Sequence, residues 1–284
     1  MAPDASRRPR RSPGWVPNQH GAWAMLVAPV VVGAVAAGPR WWHLLLLVTW
    51  LVAYLAFFAT GLWLRARRKP KYLPPVRAYA IATAVLGLAT LALEPAVLRW
   101  GLVYGPLLLV SLGFSARRDD RSMTNDLVTV AAACLMAVVV HAPVTTLESA
   151  PHAGWLPGGA DGSAWLLAAL LFAYFAGTVP YVKTMIRERG NRAMYRGSVA
   201  YHAAVTALLA TVAVLPDDAF DRWGSGDAVA LLDGPTPWLL AALFAGLTVR
   251  AAVVPRRWPT ASPKAVGIGE IVATTLLALV LLLG

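Results

Sequence analysis

A single cysteine, Cys134, stands among 284 residues, so the chain has no internal disulfide framework. Set within an apolar run, it reads as a small buried hydrophobe. Charge is scarce as well: Asp, Glu, Lys and Arg make up 14% of the chain, against about a quarter in soluble domains. The five histidines are scattered. There is no phosphate-cradling glycine loop ending in Lys-Ser or Lys-Thr, no His-Glu-x-x-His pair and no nucleophile elbow. The sequence therefore gives no signature of nucleotide hydrolysis, zinc proteolysis or serine hydrolysis, supplies no metal-ligand set, and names no cofactor.

What the chain has in excess is apolar side chain, 58% of all residues, with a mean hydropathy of +0.60. That composition makes the bilayer its solvent and predicts an all-α, polytopic helical bundle. Nine apolar segments are marked: 21–38, 42–64, 78–98, 101–116, 123–142, 164–182, 199–215, 236–254 and 265–284. A span needs about 20 residues to cross a hydrocarbon core of about 30 Å. The fourth segment is short, and the fifth opens on polar Thr124, Asn125 and Asp126. Residues 1–17 read as a basic tail without packed structure, and 18–284 as one membrane domain. A secretory signal peptide at the start is disfavoured, because the apolar stretch is long for one and its entry is polar.

Lys and Arg partition sharply when loops are assigned alternately to two sides. The tail, the even-numbered loops and the flanking helix ends hold 22 cations, and the opposite side holds Arg40, Arg99 and Arg222. The positive-inside rule then predicts nine spans with a cytosolic N-terminus, a C-terminus on the far side, and residence in the plasma membrane. The net charge of +11 is thereby explained by topology and anionic lipid headgroups, not by nucleic acid. The outer connections 143–163 and 216–235 are acidic and rich in Gly and Pro, and read as solvated linkers. Trp41, Trp42, Trp100, Trp155, Trp223, Trp238 and Trp258 fall near segment boundaries, as interfacial anchors do.

Costly polar side chains cluster at the cytosolic helix ends. Asn18, Gln19 and His20 open helix 1, and Arg121, Asn125 and Asp126 open helix 5. Tyr181, Lys183, Thr184, Arg187 and Glu188 close helix 6. His202 lies in the first turn of helix 7, and Glu270 in the second turn of helix 9. Among outer helix ends Glu94 and His141 are comparable. Lys183 with Arg187, Thr184 with Glu188, and Arg121 with Asn125 stand four apart, the spacing of one helix face. A pocket lined by Lys183, Arg187 and Arg121, balanced by Asp126, Glu188 and Glu270, suits an anionic headgroup or diphosphate. The plain alternative is that the cations mark topology and snorkel to the headgroups, and that His20 is an interfacial histidine. Pro29, Pro106 and Pro180 interrupt the hydrogen bonding of helices 1, 4 and 6.

The stretch Pro17-Asn18-Gln19-His20-Gly21-Ala22-Trp23-Ala24-Met25-Leu26 resembles the opening motif of the YwiC-like family of bacterial membrane proteins. The resemblance continues through Arg117 to Asp126 and through Gly177 to Gly190, and it implies membership without implying a chemistry. A more distant architectural likeness is to the UbiA-type intramembrane prenyltransferases, which also carry nine helices and a polar cap over loops 2–3 and 6–7. Those enzymes hold Mg²⁺ and a prenyl diphosphate with aspartate-rich loops. Here Arg65 to Arg77 contains no carboxylate, and Lys183 to Arg196 contains only Glu188. The usual Mg²⁺-dependent reaction therefore lacks its oxygen ligands in these loops.

Two functional expectations follow. In the first, the bundle binds or transfers an isoprenoid or other anionic membrane lipid. Lys183, Arg187 and Arg121 neutralise the headgroup, Asn18, Asn125, Tyr181 and Thr184 line it, and Asp126, Glu188 or His20 moves a proton or positions a cation. In the second, the chain is a small-solute transporter or non-catalytic membrane component, with Glu270, Asp126 and His202 on a proton or ion path. The sequence sets no oligomeric state.

Overall fold

In the computed structural model, residues 14–17, 20–141, 162–215 and 234–283 are described. They form nine α-helices and no strand: α1 (His20–Ala36), α2 (Trp41–Arg65), α3 (Leu73–Leu93), α4 (Gly101–Ala116), α5 (Met123–Val139), α6 (Gly162–Ile186), α7 (Arg192–Val214), α8 (Thr236–Arg257) and α9 (Pro263–Leu283). Short 3₁₀ turns at Pro70–Tyr72 and Pro95–Trp100 lead into α3 and α4. Helix is the form a chain this apolar adopts in lipid, because it satisfies every backbone N–H and C=O internally.

Seven of these helices, with the 3₁₀ turns counted into α3 and α4, are long and apolar enough to span a membrane. The exceptions are α1 and α5, at 17 residues each. The fourth segment, short in the sequence, gains its length from the turn at Pro95–Trp100, which makes a 22-residue unit with α4. Seven such helices make the chain a multi-pass membrane protein. Apolar side chains point outward along the helices, as at Ile81, Val85 and Leu88 on one stripe of α3. Lipid is the solvent such a stripe requires.

Several boundaries differ from the sequence reading. α3 begins five residues earlier, because Pro74 and Pro75 sit in its first turn, where proline costs no hydrogen bond. α7 begins at Arg192, capped by the Asn191 carboxamide, which accepts from the N–H groups of Ala193 and Met194. His202 therefore lies in the third turn of α7, deeper than the first turn expected. Pro29, Pro106 and Pro180 are accommodated inside continuous helices.

Contacts between helices show that successive helices run in opposite directions. Trp50 of α2 donates to the Leu26 carbonyl of α1. Thr49 of α2 meets Thr90 of α3 at 2.9 Å, and Tyr104 of α4 donates to the Ala132 carbonyl of α5. Tyr201 of α7 donates to the Ala173 carbonyl of α6, and Thr206 meets Thr248 of α8. The start of α1 and the end of α9 thus lie at opposite ends of the bundle. The end that gathers the loops 2–3, 4–5, 6–7 and 8–9 is the basic one.

Fourteen residues of α6 are buried, which makes it the most enclosed helix. It packs with α5 and α1 around Val138, Leu167, Leu171 and Tyr174. Gly33 lets α1 approach α5: a Cβ there would lie 2.7 Å from the Ala137 carbonyl oxygen. Two tryptophans expected at the interface are core residues instead. Trp42 and Trp100 are 5% and 4% exposed, whereas Trp41, Trp238 and Trp258 are exposed at helix ends. Trp155 and Trp223 lie outside the described residues, as do 142–161 and 216–233 of the outer connections.

Candidate functional site

The polar residues at the basic end sort into two interior centres on opposite faces of α6, with a basic cleft above one of them. Lys183 and Tyr181 are two residues apart, about 200° around the helix, so they cannot face the same space.

The first centre joins α5 to α6. Ser122 caps α5 by accepting from the Asn125 N–H, which leaves Asp126 in the first turn. Lys183 Nζ stands 2.6 Å from Asp126 Oδ2 and donates to the Arg121 carbonyl at 2.8 Å. Asn125 is buried and fully engaged: its Oδ1 accepts from Ser111 Oγ at 2.6 Å, and its Nδ2 donates to the Asp120 carbonyl. Asp120 in turn pairs with Arg65 at 2.7 Å, which ties the end of α2 to the α4–α5 turn.

The second centre lies among α6, α7, α8 and α9. Glu270 is 4% exposed, and its Oε1 is 2.8 Å from Arg250 Nη1. Thr178 and Tyr174 donate to its Oε2 at 2.9 and 3.2 Å, and Thr274 donates to the Tyr174 hydroxyl. The flat face of the Arg250 guanidinium covers the Tyr181 ring, 4.2 Å from its centroid. On α7, buried His202 holds its Nδ1 at 2.7 Å from the Ser198 carbonyl. Gly177 opens the space for α7: a Cβ there would lie 2.9 Å from the Tyr201 ring.

Beyond this second centre, at the basic end of the bundle, is a cleft of about 380 Å³ between the α6–α7 turn and the end of α8. Arg189, Arg192, Arg196 and Arg256 line it together with Thr184 and Tyr195, and no carboxylate does. Arg189 is held by the carbonyls of Met185 and Ala261, and Arg256 lies over the Tyr195 ring. Arg192 and Arg196 are exposed and make no ion pair among the described residues.

Measured against the sequence reading, Asp126 and Lys183 meet, and Tyr181 and Glu270 each contact Arg250, with His202 in the adjoining helix. No hydrogen bond or ion pair joins the two groups among the described residues. Arg121 contributes its carbonyl and not its guanidinium, because it precedes the cap of α5 and is exposed. Arg187 and Glu188 lie beyond the last residue of α6, so the expected i to i+4 pairs straddle a helix end. Arg187 is exposed, Glu188 accepts from Asn191 Nδ2, and Thr184 donates to the Pro180 carbonyl. Asn18 lies outside the described residues. His20 opens α1, and its side chain is likewise not described.

Arg250 was counted with the loop cations and missed as an interior residue. The signal is in the sequence: Ala251, Ala252, Val253, Val254 and Pro255 separate it from Arg256, so it stands about two turns inside its helix. A Mg²⁺ diphosphate centre of the prenyltransferase kind does not fit the residues present. The α2–α3 connection offers no carboxylate, and Glu188 is engaged by Asn191.

The comparisons with known proteins agree with the opening motif. The family model described as YwiC-like protein matches residues 16–141. The chain is 32% identical over 196 residues to the uncharacterized protein YwiC of Bacillus subtilis, covering 69% of this chain and 77% of that protein. It is 26% identical over 187 residues to an uncharacterized protein of Haemophilus influenzae, covering 66% and 74% respectively. No solved structure matches. The similarity to the Bacillus protein, spread over most of both chains, together with the family match over the segment that carries α1 to α5, places this chain in the YwiC-like family.

Proposed function

We propose that this protein binds the phosphate-bearing headgroup of an anionic membrane lipid, an isoprenoid phosphate or an acidic phospholipid, in the cleft at its basic end. The observation that carries the reading is the lining: four arginines, a threonine and a tyrosine with no carboxylate among them. Planar guanidinium groups pair with phosphate oxygens bidentately, which adds geometric specificity to the attraction of charge. A headgroup held there leaves its tail to the apolar outer faces of the helices. In this reading the protein sits in the plasma membrane with the cleft facing the cytosol, an orientation that the one-sided cations support. Any transfer reaction on the bound lipid then proceeds without the aspartate-rich Mg²⁺ site of UbiA-type prenyltransferases.

Lipids that copurify in mild uncharged detergent, identified by mass spectrometry, test the reading. The wild-type protein is expected to retain a phosphate-bearing lipid well above its share of the membrane, and the combined Arg192→Ala, Arg196→Ala and Arg256→Ala protein to lose it. Equal profiles that mirror bulk membrane in both proteins overturn the reading.

A second reading, a small-solute transporter, is favoured by the Arg250–Glu270 pair inside the bundle, since charges at that depth commonly mark transport paths. Its test is solute flux in proteoliposomes, abolished by Glu270→Gln.

A further inference from the structure

A guanidinium carries five N–H donors in a rigid fork. In Arg250 one terminal nitrogen, Nη1, stands 2.8 Å from Glu270 Oε1 as an ion pair, without the geometry of a hydrogen bond, and the guanidinium lies over the Tyr181 ring. The remaining edge, formed by Nε and Nη2, is buried and has no acceptor among the described residues. This is the edge that takes an oxyanion with two parallel hydrogen bonds. Leaving buried donors unmade is costly, so a ligand that completed them would recover that loss.

Among the described residues no acceptor bonds this edge, and Glu270 Oε1, on the Nη1 side, is itself without a hydrogen bond. Glu270 is the sole carboxylate in the sequence of α6, α7, α8 and α9. Its Oε2 is held by Thr178 and Tyr174, which fixes the carboxylate on the Nη1 side. Opposite stands α7. The hydrogen bonds from Tyr195 to the Ala252 carbonyl and between Thr206 and Thr248 set an antiparallel register that brings Ser198 and His202 level with Arg250. Ser198 Oγ is also buried and partnerless, while the His202 ring is turned back to the Ser198 carbonyl.

We propose that the Nε and Nη2 edge of Arg250, aided by the Ser198 hydroxyl, is a binding seat for a small monovalent oxyanion, a carboxylate or a singly charged phosphate, with Glu270 as its internal counter-ion. Charge selects the ligand. Glu270 already neutralises Arg250, so a dianion would leave two uncompensated charges in the interior and a monoanion leaves one. The titratable groups that face the pair are Tyr174 and Tyr181 from α6 and His202 from α7. The seat is separate from the surface cleft: Arg250 and Arg256 are six positions apart on α8, a depth of about 9 Å. It gives the second reading above its ligand class, yet binding at this seat stands whether or not the protein transports.

Acetate and inorganic phosphate are the probes, titrated into the full-length protein in uncharged detergent against chloride of equal ionic strength, with the melting temperature as readout. At least one probe is expected to raise it saturably. Glu270→Gln removes the competing carboxylate and is expected to bind about tenfold more tightly, a difference of about 1.4 kcal/mol. Arg250→Lys keeps the charge, loses the fork, and is expected to abolish the response. The combined Arg192→Ala, Arg196→Ala and Arg256→Ala protein is expected to keep it, which separates this seat from the headgroup cleft. A preference for acetate identifies a carboxylate ligand, and a preference for phosphate a phosphate one.

Three results overturn the proposal. One is no saturable shift in either wild type or Glu270→Gln, in which case internal water alone completes the Arg250 donors. Another is a response that survives Arg250→Lys, and a third is a response that disappears with the cleft arginines. Should both interior variants fail to fold, Ser198→Ala decides: binding weakened severalfold upholds the seat, and unchanged binding removes it.

Discussion

Lys183 Nζ and Asp126 Oδ2 lie 2.6 Å apart, which fastens the last turn of α6 to the first turn of α5. The lysine side chain is 12% exposed and the aspartate 28%, so solvent screens the pair only in part. A double-mutant cycle of Lys183→Ala and Asp126→Asn, followed by reversible unfolding in detergent, is expected to give a coupling of about 1 kcal/mol. A coupling near zero would mean that the pair holds nothing together.

Two glycines make opposite predictions. At Gly33 a methyl group would lie 2.7 Å from a backbone oxygen of α5 and 2.8 Å from the Ala137 Cα, neither of which can move aside cheaply. Gly33→Ala is expected to destabilise the protein by about 1–3 kcal/mol through overpacking. Gly87, inside α3, has nothing within 4 Å of its missing Cβ. Gly87→Ala is expected to stabilise by about 0.5–1 kcal/mol by reducing the freedom of the unfolded chain. Unfolding midpoints of the two variants, measured side by side, check both signs.

Much of the fold was legible because cation placement and hydropathy report the same crossings. All nine segments became helices, since lipid leaves the backbone no alternative. Boundaries moved where local chemistry outweighed hydropathy: Asn191 starts α7 well before its apolar run, and Pro74 with Pro75 starts α3. The site was legible in pieces. Lys183, Asp126 and Glu270 were singled out because buried charge is costly, but their grouping depends on where each points around α6, which hydropathy does not encode. Arg250 escaped notice because the same one-sided count that fixes topology absorbed it into a loop.

Arg118 ends α4 in the left-handed region, with φ at 63°. It holds the position after a helix where glycine is favoured, and Asp119 N–H reaches back to the Phe114 carbonyl at 2.9 Å. A side chain there costs about 1–2 kcal/mol, so Arg118→Gly is expected to raise stability by about 1 kcal/mol in thermal unfolding. Arg118→Val, β-branched in the same conformation, is expected to lower it.

Glu94, between α3 and the 3₁₀ turn before α4, is 5% exposed. Burial pushes its carboxyl above the usual value of about 4.5, and the positive charge of Arg40 opposes the shift only in part. The folded protein therefore holds this proton more tightly than the unfolded chain. The associated stability is fully present below the usual carboxylate range and is lost as the pH rises through it towards the raised value. Glu94→Gln is expected to remove that loss. Melting curves of both proteins between roughly pH 4 and pH 7 are expected to diverge steadily, with the variant ahead at the upper end.

The placement of α6 has a mechanical consequence. One face of this helix grips α5 through Lys183, and the other carries Tyr174, Thr178 and Tyr181 to the Arg250–Glu270 pair. A hydrogen-bonded rod cannot roll on one flank and stay still on the other. A roll of α6 about its own axis would therefore displace the lysine clamp and the buried charges together, in opposite directions.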